Sequence, residues 1–270
     1  MPSLVAASRE VSKLVLEHLL RRIESTPALD EPFSHIYLEN VFPQDIYERM
    51  LNGFPRAELY TSAAERYYNN ADDKFVRSMC MLTQNQMARF GAEQHELWRG
   101  IAGALTAPDL KTAMFKKLAK DLAFRYGIPK SKVGELAGYS RPTLYRETDG
   151  FEIPPHPDTR KKVVTMQLYL PADHSQLDLG TALYQRKLLA WPFAGWKQRF
   201  EKVKQFSFQP NSGYAFVVNN TLTKKSWHGR EKLPHGAGVR NTLLATFYDS
   251  PRQEFSGYLV QTLAAFAQRA

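Results

Sequence analysis

Arg141-Pro142-Thr143-Leu144-Tyr145-Arg146-Glu147-Thr148-Asp149-Gly150-Phe151-Glu152-Ile153-Pro154-Pro155-His156-Pro157-Asp158-Thr159 is the stretch on which the reading of this sequence turns. Ser140 to Glu147 reads as a β-strand that stops at the turn pair Asp149-Gly150. Pro154, Pro155 and Pro157 disfavour a helix and stiffen an extended path. Residues two apart in extended backbone project to the same side. His156 and Asp158 can therefore offer an imidazole and a carboxylate to one metal ion. His-x-Asp alone is a weak signal, and in isolation it reads as readily as a surface turn with a local hydrogen bond.

Toward the C-terminus, β-rich runs occur at Lys162 to Leu170, Thr181 to Tyr184, Gly213 to Val218 and Val239 to Tyr248. Pro171-Ala172-Asp173, Pro210-Asn211-Ser212-Gly213 and Gly236-Ala237-Gly238 punctuate them, a pattern that suggests a sandwich or jelly roll. Toward the N-terminus the pattern is helical. Ser8 to Ser25 carries Val11, Leu14, Val15, Leu19 and Ile23 near a 3.6-residue period. A short strand, Phe33 to Leu38, precedes a helix opened by Pro43 and running to Asn52. Ala57 to Thr83 has no clear period and reads as a long loop covering a pocket or as irregular structure. Gln84 to Leu105 and Asp109 to Tyr126 each read as one helix, the second stopped by Gly127-Ile128-Pro129. Gln253 to Ala270 reads as a closing helix. The expectation is an α+β chain with a mainly helical support region over 1–130, a β-rich core over 131–250 and a C-terminal helix over 251–270, forming one structural domain.

The composition is that of a globular protein: 43% hydrophobic, 12% aromatic and 23% charged residues in a chain of 270. No run approaches the roughly eighteen apolar residues needed to span a bilayer. The N-terminus lacks the pattern of a secretory signal. Cys80 is the one cysteine, which forbids an intrachain disulfide and reads as a small buried apolar residue. Together these lead to the expectation of a cytoplasmic protein with no membrane partner. The net charge of +9 raises the question of an anionic partner. However, the basic residues are scattered as Arg21-Arg22, Lys116-Lys117, Arg160-Lys161-Lys162 and Lys224-Lys225, so nucleic acid is not expected. A basic pocket for an acidic small molecule accounts for the charge equally well.

The His-x-Asp pair gains weight from two residues further along the chain. A second histidine sits in Ser226-Trp227-His228-Gly229-Arg230, and Arg240 opens the strand-like run Arg240 to Tyr248. Two histidines and one carboxylate make the facial triad of non-haem Fe(II) oxygenases, which leaves coordination positions open. A keto acid can take two of them and dioxygen the third. An arginine suits the far carboxylate of such a keto acid, because its fork binds a carboxylate bidentately and keeps its charge. His235, in Leu233-Pro234-His235-Gly236, competes with His228 as the distal ligand, but its loop-like context favours His228. His18, His35, His95 and His174 read as surface or partly buried side chains. Arg230 and Glu231 read as a pair in solvent, Trp227 as packing, and Gln167 and Thr181 as lining either a pocket or the core.

With His156-Pro157-Asp158, Gly180-Thr181-Ala182-Leu183-Tyr184, Pro210 to Phe216, Trp227-His228-Gly229 and Arg240-Asn241-Thr242 in this order, the sequence resembles the Fe(II)/2-oxoglutarate-dependent oxygenase superfamily. Its prolyl-hydroxylase-like branch is the nearest in pattern. The entry from Pro32 to Pro43 also looks like that family's N-terminal strand leading into a helix, and the resemblance covers most of Pro32 to Asp249. It implies a double-stranded β-helix, a jelly-roll or cupin-like core, with flanking N-terminal helices and a C-terminal helix. It implies Fe(II) held by His156, Asp158 and His228. 2-Oxoglutarate would be anchored by Arg240 with contacts from Tyr145 and Thr242, and more remotely Arg141. Dioxygen is the second co-substrate and ascorbate a stimulant.

The implied reaction hydroxylates a C–H bond of a small molecule and releases succinate and CO2. Halogenases of the superfamily have a small residue where Asp158 stands, so the carboxylate favours hydroxylation, with desaturation and ring formation still open. Three departures stand out: the branch often carries lysine in place of Arg240, the spacing from Tyr145 to the first ligand is longer than in the branch, and Gln185 to Phe208, with Trp191, Phe193 and Trp196, looks like an insertion shaping the substrate entrance. The rival class is a non-catalytic cupin-like module binding a metal or sugar, and below it a nucleic-acid demethylase. The triad together with Arg240 argues for the oxygenase.

Overall fold

The computed structural model describes residues 4–63, 76–187 and 195–251. Seven α-helices and eleven strands lie among them. The helices are α1 (Leu4–Ser25), α2 (Gln44–Asn52), α3 (Gln84–Met87), α4 (Ala92–Thr106), α5 (Pro108–Lys117), α6 (Ala119–Tyr126) and α7 (Trp196–Arg199). The strands are β1 (His35–Glu39), β2 (Thr61–Ser62), β3 (Arg77–Met81), β4 (Tyr139–Glu147), β5 (Ile153–His156), β6 (Lys162–Tyr169), β7 (Ala182–Arg186), β8 (Phe200–Gln205), β9 (Ser212–Val217), β10 (His228–Arg230) and β11 (Arg240–Tyr248).

The strands form two antiparallel sheets, one in the order β1-β9-β6-β11-β4-β3-β2 and one in the order β5-β10-β7-β8. From β4 onward the chain passes repeatedly between the sheets. β4, β6, β9 and β11 lie in the large one, while β5, β7, β8 and β10 lie in the small one. This is a mixed helix-and-sheet architecture consistent with a jelly roll.

The strand period sorts side chains onto two unlike faces of the large sheet. Leu144, Leu243, Ala245, Phe247, Val164, Met166, Leu168, Ala215, Val217, Ile36 and Leu38 share one apolar core with the helices. Val11, Val15, Leu19 and Ile23 of α1, Trp98 and Ile101 of α4, and Leu110 and Met114 of α5 complete it. Each such side chain contributes about 1.5–3 kcal/mol when fully buried, so this layer holds the helices on the sheet. The cross-strand registers place the alternate residues Glu147, Tyr145, Arg240, Thr242, Gln167, Tyr169 and Tyr214 on the opposite face, toward the interior between the sheets. That interior is polar and aromatic, which suits a site rather than a core.

One buried carboxylate ties the helical layer to the site. Asp121 on α6 accepts from the Ser34 amide and from Asn219 Nδ2, both at 2.8 Å, and pairs with Lys224 Nζ at 2.7 Å. The segment from 219 to 226 leads directly into β10, so Asp121 fixes the approach of the strand that carries His228.

Several elements differ from the sequence reading. The two long helices expected over Gln84–Leu105 and Asp109–Tyr126 are each broken. The Thr83 hydroxyl caps the short α3, accepting from the Gln86 amide at 3.3 Å, before α4 starts after Gly91. Leu118 leaves helical geometry between α5 and α6. Ala57 to Thr83, read as irregular, supplies β2 and β3, and β3 pairs along β4. Gln185 to Phe208, read as an insertion, includes the end of β7, α7 and all of β8, and its strands belong to the small sheet. Trp191, Phe193 and the closing helix expected over 251–270 fall outside the described residues, apart from Pro251 at its start.

Candidate functional site

β5 and β10 are antiparallel neighbours with His156 directly opposite His228, and their rings lie 4.4 Å apart between centroids. Gly229 allows this pairing: a Cβ there would sit 2.6 Å from the Ile153 carbonyl oxygen. Asp158 lies two residues beyond the end of β5. Its carboxylate is 3.9 Å from His156 Nε2 and 3.7 Å from His228 Nε2. One ligand atom from each of the three side chains falls within 4.8 Å of the others, the spacing of a set that could hold one metal ion. His228 and Asp158 are buried, whereas His156 is partly open.

Each of the three is held from behind. His156 Nδ1 meets the Pro154 carbonyl at 3.0 Å, and His228 Nδ1 meets the Ser226 carbonyl at 2.9 Å. A carbonyl only accepts, so both Nδ1 atoms carry the proton and both Nε2 lone pairs point to the cluster. Burial pushes the His228 imidazole down to about 3, with repulsion from His156 adding to it and Asp158 opposing. Burial also lowers His156, against the pull of Asp158. For Asp158, burial pushes the carboxyl up, but Lys162 and the two histidines outweigh it and hold the group well below the usual carboxylate range. Lys162 Nζ donates to Asp158 Oδ1 at 2.5 Å and Thr165 Oγ1 donates to Oδ2 at 2.7 Å. Two neutral imidazoles and a carboxylate anion at neutral pH are the donor set a divalent transition metal takes.

The interior continues away from this cluster through a polar network. Gln167 Nε2 donates to Thr242 Oγ1 at 3.2 Å, and Gln167 Oε1 accepts from Thr181 Oγ1 at 3.1 Å and Tyr214 OH at 2.8 Å. Gln167 and Thr181 are thus interior residues bonded to each other. Tyr145 sits opposite Thr242 across β4 and β11, under the Arg77 guanidinium at 4.0 Å.

At the far end lies Arg240, 1% exposed. It pairs with Glu147, donates from Nε to the Leu179 carbonyl at 2.8 Å, and lies over the Phe208 ring at 4.3 Å. Glu147 also pairs with Arg77 at 3.1 Å. Arg230, read from the sequence as solvent-facing, is instead 4% exposed inside the same end, and Glu231 pairs with Lys202 at 3.1 Å. The cause is strand alternation: Arg230 is two residues after His228 on β10 and shares its inward face.

The remaining sequence candidates lie elsewhere. His235 is fully exposed and pairs with Asp149 at 3.0 Å on the surface. Arg141 stacks on Tyr248 at 3.8 Å and donates to the Ser250 carbonyl at 3.2 Å, at the opposite end of β4 from Glu147. Trp227 packs on Phe200 at 4.7 Å. No helix among the described residues is long and apolar enough to cross a membrane.

No protein-family model matches the chain, and no curated protein matches it in sequence. Solved structures that it resembles include a prolyl-4-hydroxylase from Pseudomonas putida at 13% identity, covering 87% of this chain and 100% of that one with a TM-score of 0.49. Another is the non-haem alpha-ketoglutarate-dependent epimerase SnoN from nogalamycin biosynthesis, at 11% identity over 87% of this chain and 82% of that one, with a TM-score of 0.45. A third is HygX from Streptomyces hygroscopicus with nickel and 2-oxoglutarate bound, at 10% identity over 87% and 88% of the two chains and a TM-score of 0.45.

Proposed function

We propose that this chain is an Fe(II)- and 2-oxoglutarate-dependent oxygenase built on a double-stranded β-helix, in which His156, Asp158 and His228 hold the iron. Arg240 takes the far carboxylate of 2-oxoglutarate, and Tyr145 and Thr242 line the path between. The reaction hydroxylates a C–H bond of a small molecule. One observation carries the reading: a His-Asp-His cluster within 4.8 Å and a buried arginine occupy two ends of one polar, aromatic-lined interior. A module that only binds a sugar has no use for both.

Iron held by His156, Asp158 and His228 would supply the dioxygen chemistry, with 2-oxoglutarate as the co-substrate that leaves as succinate and CO2. The chain's own residues do the rest. The carbonyls of Pro154 and Ser226 keep both Nδ1 atoms protonated, so the Nε2 atoms stay available as ligands. Thr165 and Lys162 orient the Asp158 carboxylate and keep it ionised. Phe208 and Tyr169 flank Arg240 and keep water from it, which strengthens its attraction for a carboxylate.

The test is succinate release from 2-oxoglutarate by the full chain with Fe(II) and ascorbate, and then mass spectrometry of candidate small molecules for a gain of one oxygen. Uncoupled succinate formation is expected even without the substrate. An Asp158→Ala variant that turned over as fast as the parent would remove the ligand assignment.

A further inference from the structure

Arg230 is a buried interior side chain to which the proposed oxygenase reaction gives no task. Its surroundings are specific. The carbonyls of Leu179 and Gly180 are adjacent, and the first accepts from Arg240 Nε at 2.8 Å while the second meets Arg230 Nη1 at 3.4 Å. Gly180 makes this possible, because a Cβ there would lie 1.5 Å from the Phe206 carbonyl oxygen. The two guanidiniums are therefore docked on neighbouring peptide groups.

They are also short of acceptors. Arg240 Nη2, Arg230 Nε and Arg230 Nη2 are buried and have no hydrogen-bond partner among the described residues. The nearest carboxylate, Glu147, is already shared between Arg240 and Arg77. Buried donors without acceptors cost about 1–3 kcal/mol each, and natural folds rarely leave three together unless something else satisfies them.

We propose that Arg230 and Arg240 form a two-guanidinium receptor that grips a single carboxylate of a dicarboxylic acid from two sides. A carboxylate offers about four lone-pair sites, enough to accept from all three unpartnered nitrogens. The proposal rests on the oxygenase reading and extends it: Arg230 becomes a binding residue for the distal carboxylate of 2-oxoglutarate, additional to Arg240. It also assigns the two ends of the co-substrate to different residues, since Arg230 has no part in the keto acid head.

Calorimetric titration of the Mn(II)-loaded full chain without oxygen tests this, with 2-oxoglutarate and with 2-oxobutyrate, which keeps the keto acid head and lacks the far carboxylate. Arg230→Met is expected to weaken 2-oxoglutarate by about 10- to 100-fold and leave 2-oxobutyrate unchanged. The same variant is expected to melt at a higher temperature than the parent when no ligand is present, because it removes two buried donors that have no acceptor. Arg230→Lys, which keeps the charge but loses the fork, should fall between the two in affinity. Unchanged 2-oxoglutarate affinity in Arg230→Met overturns the proposal. So does an equal loss for both keto acids, or a lower melting temperature, since each marks a structural role. Succinate and glutarate titrated into metal-free protein separate the receptor from the oxygenase activity. If these bind and 2-oxoglutarate gains nothing from the metal, the oxygenase reading falls while the receptor stands. If no dicarboxylate binds at all, the receptor falls.

Discussion

The two ends of the interior are built on opposite terms. At the His-Asp-His end every group has a protein partner: each Nδ1 has a carbonyl, and the Asp158 oxygens have Lys162 and Thr165. At the arginine end, three buried nitrogens have none among the described residues. The first end is thus fixed by the fold itself, with Lys162 as the counter-charge of Asp158. The second leaves donors free to meet the oxygens of the proposed ligand. On the proposed reading, specificity for the acid belongs to the arginine end, and geometry for the chemistry to the other.

The largest expected effect comes from treating the ends as separable. Asp158→Ala should cut metal retention after dialysis by more than roughly a hundredfold, because even changes to groups behind the ligands cost about 10- to 100-fold. Arg240→Gln should leave metal retention unchanged and lower 2-oxoglutarate affinity by about a hundredfold, the loss of a charged bidentate partner. Metal analysis of both variants, together with their keto acid titrations, gives the full cross. If Arg240→Gln also loses its metal, the two ends are one unit and the contrast fails.

Smaller effects of opposite sign divide the partners of Asp158. Thr165 Oγ1 donates to Oδ2 and is neutral, so Thr165→Val only loosens the carboxylate. Metal affinity should fall about 10-fold. Lys162 Nζ sits on Oδ1 as a competing cation. Lys162→Met keeps the length and removes the repulsion, so metal affinity should rise, by about 10-fold if even a third of a roughly 4 kcal/mol surface-type interaction is relieved. Competition titrations with a chromophoric chelator read both. Weaker metal binding in Lys162→Met would mean that the lysine serves the metal-bound state rather than the empty one.

The sequence made the metal end legible and the arginine end only half so. His156, Asp158 and His228 are rare, chemically distinctive residues, and the two-residue spacing of the first pair is visible without a fold. Arg240 announced itself by opening a long strand-like run. Arg230 obeys the same two-residue rule relative to His228, but β10 is three residues long and carries a glycine, so no strand signal marked it as inward-facing. β3 and β8 stayed hidden for a related reason. Arg77-Ser78-Met79-Cys80-Met81 and Phe200-Glu201-Lys202-Val203-Lys204-Gln205 lack clean alternation because one face meets a polar interior or solvent rather than a uniform core. The helix breaks at Gly91 and Leu118 were invisible because the apolar period runs across them.

A third buried histidine shows what the metal end has that burial alone does not supply. His35 repeats the local geometry of His156 and His228: its Nδ1 meets the carbonyl two residues back, Phe33, at 2.8 Å. Its Nε2 faces Lys204 Nζ at 3.1 Å instead of a carboxylate, so the lone pair accepts from an ammonium and no cation site forms. Burial lowers the His35 imidazole, with Lys204 pushing the same way and the Phe33 carbonyl and Asp30 opposing. The consequence for stability has a definite sign. As pH falls below about 6.5 the unfolded chain's histidine takes up a proton that the folded one resists, so the unfolded state binds more protons and stability drops with acidification through that window. His35→Gln can keep both hydrogen bonds through its amide and does not titrate. Its melting temperature should therefore fall less steeply than the parent's between about pH 7 and pH 5, with the two curves closest to parallel above that range. Curves that stay parallel throughout the acid limb would mean that His35 is charged in the folded protein, and the contrast between an imidazole facing a lysine and one facing a carboxylate would have to be abandoned.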